Sequence, residues 1–201
     1  MDEQHVYIAV LNRDQNHKKL NSYNAETGEF EKTLYEESDD KYVEPLHPIS
    51  FVKNNSSQFI LQSRKGGFYH LYLFDITGKA MRQLTKGNWE VIDFLGCDHA
   101  GKRAFFTANI ESPVDKDLYS VTISDGKIKR ITSGNGTHTC IINPVTDNVI
   151  DNFSNTTTPR VTTVLSYEGK ELKQLLTSAN PLANYNCANM KLFSIKNADN
   201  T

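Results

Sequence analysis

A unit of about 45 residues recurs four times along the chain. It constrains the fold more than any single motif does. Each copy has an apolar strand, a polar tip, a second strand, a turn containing glycine, and a short strand that closes on a Leu/Ile-Thr-like step. The clearest copy runs from Phe59 through Leu71 and Gly78 to Leu84-Thr85-Lys-Gly87. Leu118 to Gly126 followed by Ile128 to Thr132 repeats it. So do Leu20 to Gly28 with Phe30 to Leu34, and Val161 to Gly169 with Leu172 to Leu176. Leu20 and Leu71 are 51 residues apart, Leu71 and Leu118 47, Leu118 and Val161 43. Repeats of roughly 40–50 residues with about four strands each mark β-propeller blades. The expected fold is therefore all-β, with about four four-stranded antiparallel blades.

The strand pattern follows from local chemistry. The chain carries 9 Tyr and 10 Phe, and no long segment keeps a helical period. Val6–Leu11 pairs with Lys19–Asn24 across an insertion, and Ala25-Glu-Thr-Gly28 supplies a turn in which glycine takes the positive φ. Phe30–Tyr35 is the outer strand of this first blade, which lacks an innermost strand. The second blade reads Pro48–Val52, Phe59–Ser63, His70–Asp75 and Ala80–Leu84. The third reads Glu90–Leu95, Arg103–Thr107, Lys116–Ile123 and Lys127–Thr132. The fourth reads Thr137–Ile142, Asn148–Phe153, Arg160–Ser166 and Glu171–Leu176. Loops 12–18, 64–68, 109–115 and 153–159 occupy equivalent points, so they belong on one face of the array. Residues 1–180 form the partial propeller. Residues 181–201 do not repeat and read as a linker, with one more strand at Met190–Ile195.

Composition excludes several classes. The 22 basic and 24 acidic residues leave a net charge of −2, which gives no field for nucleic acid. No apolar run approaches the ~18–20 residues of a membrane span. Met-Asp-Glu-Gln-His lacks the features of a signal peptide. Cys97, Cys140 and Cys187 are far apart, so neither a disulfide framework nor a zinc site is expected, and buried free thiols are the reading. No cofactor motif is present, no G-x-S-x-G nucleophile elbow, and no pair of histidines at ligand spacing. The acidic run Glu36-Glu37-Ser-Asp39-Asp40 reads as a solvated turn between blades. His70 reads as a hydrogen-bonding residue of its blade, and Trp89 as packing between blades. Asn54, Asn55, Asn135, Asn152 and Asn155 sit in N-x-[ST] sequons, which matter only in a eukaryotic secretory route.

Some stretches are more specific than the period. Ser63-Arg-Lys-Gly-Gly-Phe-Tyr-His-Leu-Tyr-Leu-Phe-Asp75, followed by Gln83-Leu-Thr-Lys-Gly-Asn-Trp-Glu-Val91, closely resembles the propeller of dipeptidyl peptidase IV-like serine peptidases. That family shows "S-E-x-D-G-x-x-H-L-Y-x-Y-D" and then "Q-L-T-x-G-x-W-E-V". Phe106 to Pro113 with Asp117-Leu-Tyr119, and Asp151-Asn-Phe-Ser154 with Thr158-Pro-Arg160, are similar to its following blades. The resemblance spans nearly the whole chain. It implies the C-terminal part of an eight-bladed propeller, which covers an α/β-hydrolase domain of the same parent chain. It implies short peptide substrates, losing N-terminal di- or tripeptides after proline or alanine, and a periplasmic or extracytoplasmic parent.

On that resemblance the catalytic Ser, Asp and His lie outside this chain, which has no catalytic residue of its own. The family's glutamate pair has no counterpart here, since Glu36-Glu37 stands in different surroundings. The segment before the Ser63 blade reaches the substrate cleft in the family. It nominates Tyr42, Val43, Glu44, Pro45 and Leu46 as cleft-lining, although the family's aromatic and arginine are not at the matching places. A stand-alone binding or scaffold propeller of periplasmic type is the alternative. The Trp-Glu-Val step and the Ser-Pro insertion favour the peptidase. Open blade faces at the two ends add self-association as an expectation.

Overall fold

The computed structural model of the chain describes residues 3–188, 191 and 193–198. Among the described residues fifteen strands form four antiparallel sheets. The first holds β1 (His5–Leu11), β2 (His17–Asn24) and β3 (Phe30–Ser38). The second holds β4 (Ser50–Val52), β5 (Asn55–Ser63), β6 (His70–Asp75) and β7 (Ala80–Gln83). The third holds β8 (Val91–Cys97), β9 (Arg103–Ala108), β10 (Asp117–Thr122) and β11 (Ile128–Arg130). The fourth holds β12 (Thr137–Asn143), β13 (Asn148–Ser154), β14 (Val161–Ser166) and β15 (Glu171–Thr177). Strands neighbour one another in chain order within every sheet, as in propeller blades. The first blade has three strands.

Alternation sends successive side chains to opposite faces, and the two faces of a central blade bury different sets. Phe59, Leu61, Tyr72 and Phe74 join Leu20, Leu34 and Tyr35 between blades 1 and 2. Leu71 and Leu73 join Phe106 and Val121 between blades 2 and 3. Phe105 and Leu118 join Val149, Leu165 and Tyr167 between blades 3 and 4. Leu71, Leu118 and Val121 are fully buried and Leu73 nearly so, which places the register as the repeat predicts.

Three expectations change. The acidic run is not simply a turn: β3 continues through Ser38, so Glu36 and Glu37 are strand residues and Glu37 is half-buried. Only Asp39 and Asp40 sit in the exposed turn. The thiols are free, but only Cys140 is buried; Cys97 is partly covered and Cys187 exposed. In the tail, Lys191 and Phe193–Ile195 form no strand, and Met190 and Leu192 lie outside the described residues. Among the described residues no helix is long and apolar enough to cross a membrane.

Candidate functional site

The loops joining second to third strands emerge on one side, and the segment between β3 and β4 crosses beside them. That segment and the loop between β5 and β6 enclose a cleft of about 650 Å³. One wall is the run from Glu37 to Glu44; the other is the loop of Arg64, Lys65 and Gly67, with Tyr69. Of the nominated residues, Tyr42, Val43 and Glu44 line this cleft. Pro45 and Leu46 are exposed beyond its lining.

The crossing segment is anchored at three points. Val43 is buried, and its N–H donates to Gln15 O at 2.7 Å, tying it to the β1–β2 loop. Arg64 donates to the Tyr42 hydroxyl at 3.3 Å and to Gly67 O at 3.1 Å. The same guanidinium lies 3.7 Å from the Glu90 carboxylate and 5.6 Å from the Tyr69 ring centroid. The Tyr69 hydroxyl donates to Glu44 O at 3.3 Å. Arg64 is where the resemblance expects glutamate, and sequence reasoning gave it no role. Its signal was a cation next to a tight glycine turn, opposite a Trp-Glu step.

Below these residues the floor is polar but satisfied. Ser63 Oγ donates to Glu37 at 2.8 Å, and the Tyr35 hydroxyl faces the same pair at 2.9 and 3.1 Å. Lys18, paired in register with Glu37, is almost wholly buried; burial holds its pKa below the usual lysine value, while the Glu37 charge works against that. Lys65 caps the aromatic layer, with its ammonium 4.1 Å from the Tyr72 ring centroid. Burial, and then the Glu44 charge, push the Tyr69 hydroxyl up to about 12.

A second polar cluster has the composition of a catalytic triad without its geometry. His138 Nδ1 is 2.8 Å from Asp151, and the Cys140 thiol points at the other Asp151 oxygen, 3.4 Å away. In a working triad the nucleophile meets the histidine. Here it meets the carboxylate. All three residues are buried between blades 3 and 4, and burial drives the thiol pKa well above its usual value. His70 sits elsewhere, within hydrogen-bond distance of Thr85 and Gly87 in its own blade. Trp89 bridges blades, edge-on to His70 and stacked 6.1 Å from Phe106.

Comparison with known proteins places this geometry. The profile of the dipeptidyl peptidase IV (DPP IV) N-terminal region matches residues 1–160. Among solved structures, a Bacteroides ovatus protein assigned as a dipeptidyl aminopeptidase IV superposes with a TM-score of 0.90 and 36% identity. The match covers 100% of this chain and 31% of that one. Dipeptidyl peptidase 4 of Porphyromonas gingivalis gives 0.79 and 27%, over 87% of this chain and 24% of that one. The mouse protein named inactive dipeptidyl peptidase 10 is 30% identical over 132 residues, 61% of this chain and 16% of its own length. The chain therefore spans between a tenth and a third of the length of the proteins it matches.

Proposed function

The chain belongs to the family of dipeptidyl peptidase IV N-terminal regions, and on that premise we propose that it is the non-catalytic propeller part of a serine exopeptidase. Its place is over an α/β-hydrolase domain of the same parent chain, which supplies Ser, Asp and His. The parent removes N-terminal di- or tripeptides after proline or alanine. The chain's share is to scaffold and gate the cleft, with Tyr42, Val43 and Glu44 turned toward the peptide and Pro45 and Leu46 at its margin.

The observation that carries this reading is the construction of the cleft. A segment with no ladder of its own is held at Val43 by a group from blade 1 and at Tyr42 and Glu44 by two groups from blade 2. Such anchoring fixes side chains for recognition while leaving Tyr42 half exposed. Acyl transfer needs an activated nucleophile and an oxyanion hole, and in the triad-like cluster of His138, Cys140 and Asp151 burial raises the thiol pKa and seals it from solvent. A relative that is named inactive also separates this propeller from activity as such.

Two measurements test the proposal. Gly-Pro and Ala-Pro chromogenic peptides are expected to survive incubation with the chain alone. Turnover that persists through repurification and is stopped by a serine-directed inhibitor overturns the non-catalytic reading. Amide shifts recorded while Ala-Pro-containing tetrapeptides are titrated in should concentrate at residues 42–44 and at Gly67. Shifts confined to other faces, or none at millimolar peptide, overturn the cleft assignment.

A further inference from the structure

At the junction of blades 3 and 4, the residue before the third strand is bridged by backbone alone. That residue is Lys116. Its N–H donates to Gly136 O at 3.0 Å, and its carbonyl accepts from His138 N at 2.8 Å. Tyr69 is the counterpart at the junction of blades 2 and 3. Its carbonyl accepts from Val91 N at 2.8 Å in the same way. Its N–H is met differently, because it donates to the Glu90 carboxylate. A side chain therefore stands where the other junction uses a main-chain oxygen, and a charged acceptor makes the stronger bond.

The same carboxylate has a second contact. While one oxygen takes the Tyr69 N–H, the other lies 3.7 Å from the Arg64 guanidinium. Both partners belong to the blade 2 wall of the cleft. Arg64 goes on to the Tyr42 hydroxyl, and the Tyr69 hydroxyl to Glu44 O. Glu90 itself stands behind that wall, with its side chain 27% exposed, so water competes weakly for it. Its own backbone is held from blade 3: Glu90 N donates to Asn109 Oδ1 at 2.7 Å, and Asn109 N to Glu90 O at 3.4 Å. The residues on either side are committed to packing, since Trp89 stacks between blades and Val91 is fully buried. Arg64 stands where the resemblance expects glutamate, so this pairing of opposite charges departs from the family pattern.

We propose that Glu90 is a positioning residue for the cleft: from blade 3 its carboxylate orients Arg64 and Tyr69, and through them the crossing segment at Tyr42 and Glu44. This role rests on the reading of the cleft as a short-peptide site. Glu90 touches no peptide. It acts by holding two groups that face one, so that less ordering remains to be done when the peptide binds.

Two variants of the full chain test this, read by amide hydrogen exchange and by titration with an Ala-Pro-containing tetrapeptide. Glu90→Ala removes both contacts. Glu90→Gln keeps an oxygen for the Tyr69 N–H and loses the charge that meets Arg64. Exchange at the Tyr69 amide should accelerate ~10-fold or more in Glu90→Ala and stay within ~3-fold of the parent in Glu90→Gln. The amides of residues 42–44 should shift in peptide-free Glu90→Ala, while Leu73 and Leu118 keep their protection. The tetrapeptide dissociation constant should rise ~10-fold in Glu90→Ala and by less in Glu90→Gln. Unchanged Tyr69 exchange in Glu90→Ala overturns the proposal, and so does an unchanged dissociation constant. Loss of protection at Leu73 and Leu118 as well would mark a merely structural residue and also overturn it. If the parent chain binds no tetrapeptide, the peptide reading of the cleft fails, while faster Tyr69 exchange with shifts at 42–44 still upholds the positioning role.

Discussion

Where blade 2 meets blade 3, the first residue of the third strand is His70; where blade 3 meets blade 4, the same position holds Asp117. The surrounding backbone is nearly superimposable in its bonding. Leu71 N donates to Thr85 Oγ1 at 2.9 Å, and Leu118 N to Thr132 Oγ1 at 3.0 Å. Val91 N donates to Tyr69 O, and His138 N to Lys116 O, both at 2.8 Å. Each threonine hydroxyl in turn faces the variable residue, His70 Nδ1 or Asp117 Oδ1, at 3.1 Å. The glycine carbonyl two residues past the threonine must also be met by a donor. At the first junction His70 Nε2 lies 3.0 Å from Gly87 O. A carbonyl only accepts, so Nε2 carries the proton and Nδ1 accepts from Thr85.

A neutral imidazole thus does two jobs that a carboxylate cannot combine. Asp117 accepts from Thr132 but has nothing to donate, and Arg130 takes over the carbonyl, reaching Gly134 O at 2.9 Å and Asp117 at 2.8 Å. Trp89, which fills the first junction, has Gly136 as its counterpart. His138 occupies the second junction, stacked 4.7 Å from Phe153 and pinned by Asp151. The charged version is left with buried atoms that lack a hydrogen-bond partner: Asp117 Oδ2, Arg130 Nε and His138 Nε2. The first junction is held by packing around one neutral ring, the second by a polar set centred on buried Asp117, with half-buried Arg130 depending on it.

The largest effect should therefore come from breaking that set. Asp117→Ala is expected to cost ~3–5 kcal/mol by leaving half-buried Arg130 and buried His138 without their shared carboxylate. The double variant Asp117→Leu with Arg130→Met should recover much of the loss, since apolar replacement removes both charges. Urea unfolding measures both, and a double variant no more stable than the single would break the comparison. Leu73 faces blade 3 from the packing-held junction, and Leu73→Ala should cost ~2–5 kcal/mol. A loss under ~0.5 kcal/mol would contradict its burial.

Glycine sharpens the contrast. A Cβ on Gly87 would collide with the Trp89 indole at Nε1, whereas on Gly134 it would sit 3.5 Å from Phe153, an ordinary contact. Both residues have positive φ, so each alanine pays a backbone cost of ~1 kcal/mol. Gly87→Ala must also displace the indole and should reach ~2–3 kcal/mol. Equal melting shifts for the two variants would show that Trp89 is not the filler of its junction.

The repeat made the blades legible because strands, turn glycines and the Thr step recur at fixed spacing. Buried leucines at 71, 73 and 118 followed from alternation alone. The equivalence of His70 and Asp117 was present in the same spacing, since both precede their threonine by fifteen residues. Unlike residue types hid it, and the compensating Arg130 belongs to another strand. The acidic run misled because charge suggested solvent, while the β3 ladder carried Glu37 to hydroxyl partners on the next blade. The cleft was half legible. A resemblance nominated residues 42–46, but Arg64 and Tyr69 enter only through the loop that folds across them.

The smallest expected effect is the one with a pH signature. Burial lowers the His70 pKa from its usual 6.5, with the Gly87 carbonyl and Glu90 opposing that shift. In the folded chain the ring stays neutral at a pH where the unfolded chain has already taken up a proton. The unfolded state then binds more protons, so stability rises with pH through that window. His70's contribution is complete above the unfolded pKa of about 6.5 and is lost as pH falls below it toward the folded value. The slope from this one group cannot exceed ~1.4 kcal/mol per pH unit. His70→Gln keeps a donor and an acceptor but does not titrate. It should flatten the stability profile below pH ~7 while leaving the profile above pH ~7 parallel to the parent's. Unchanged slopes in the variant would assign the acid sensitivity to other groups, and the neutral-ring account of the first junction would fail with it.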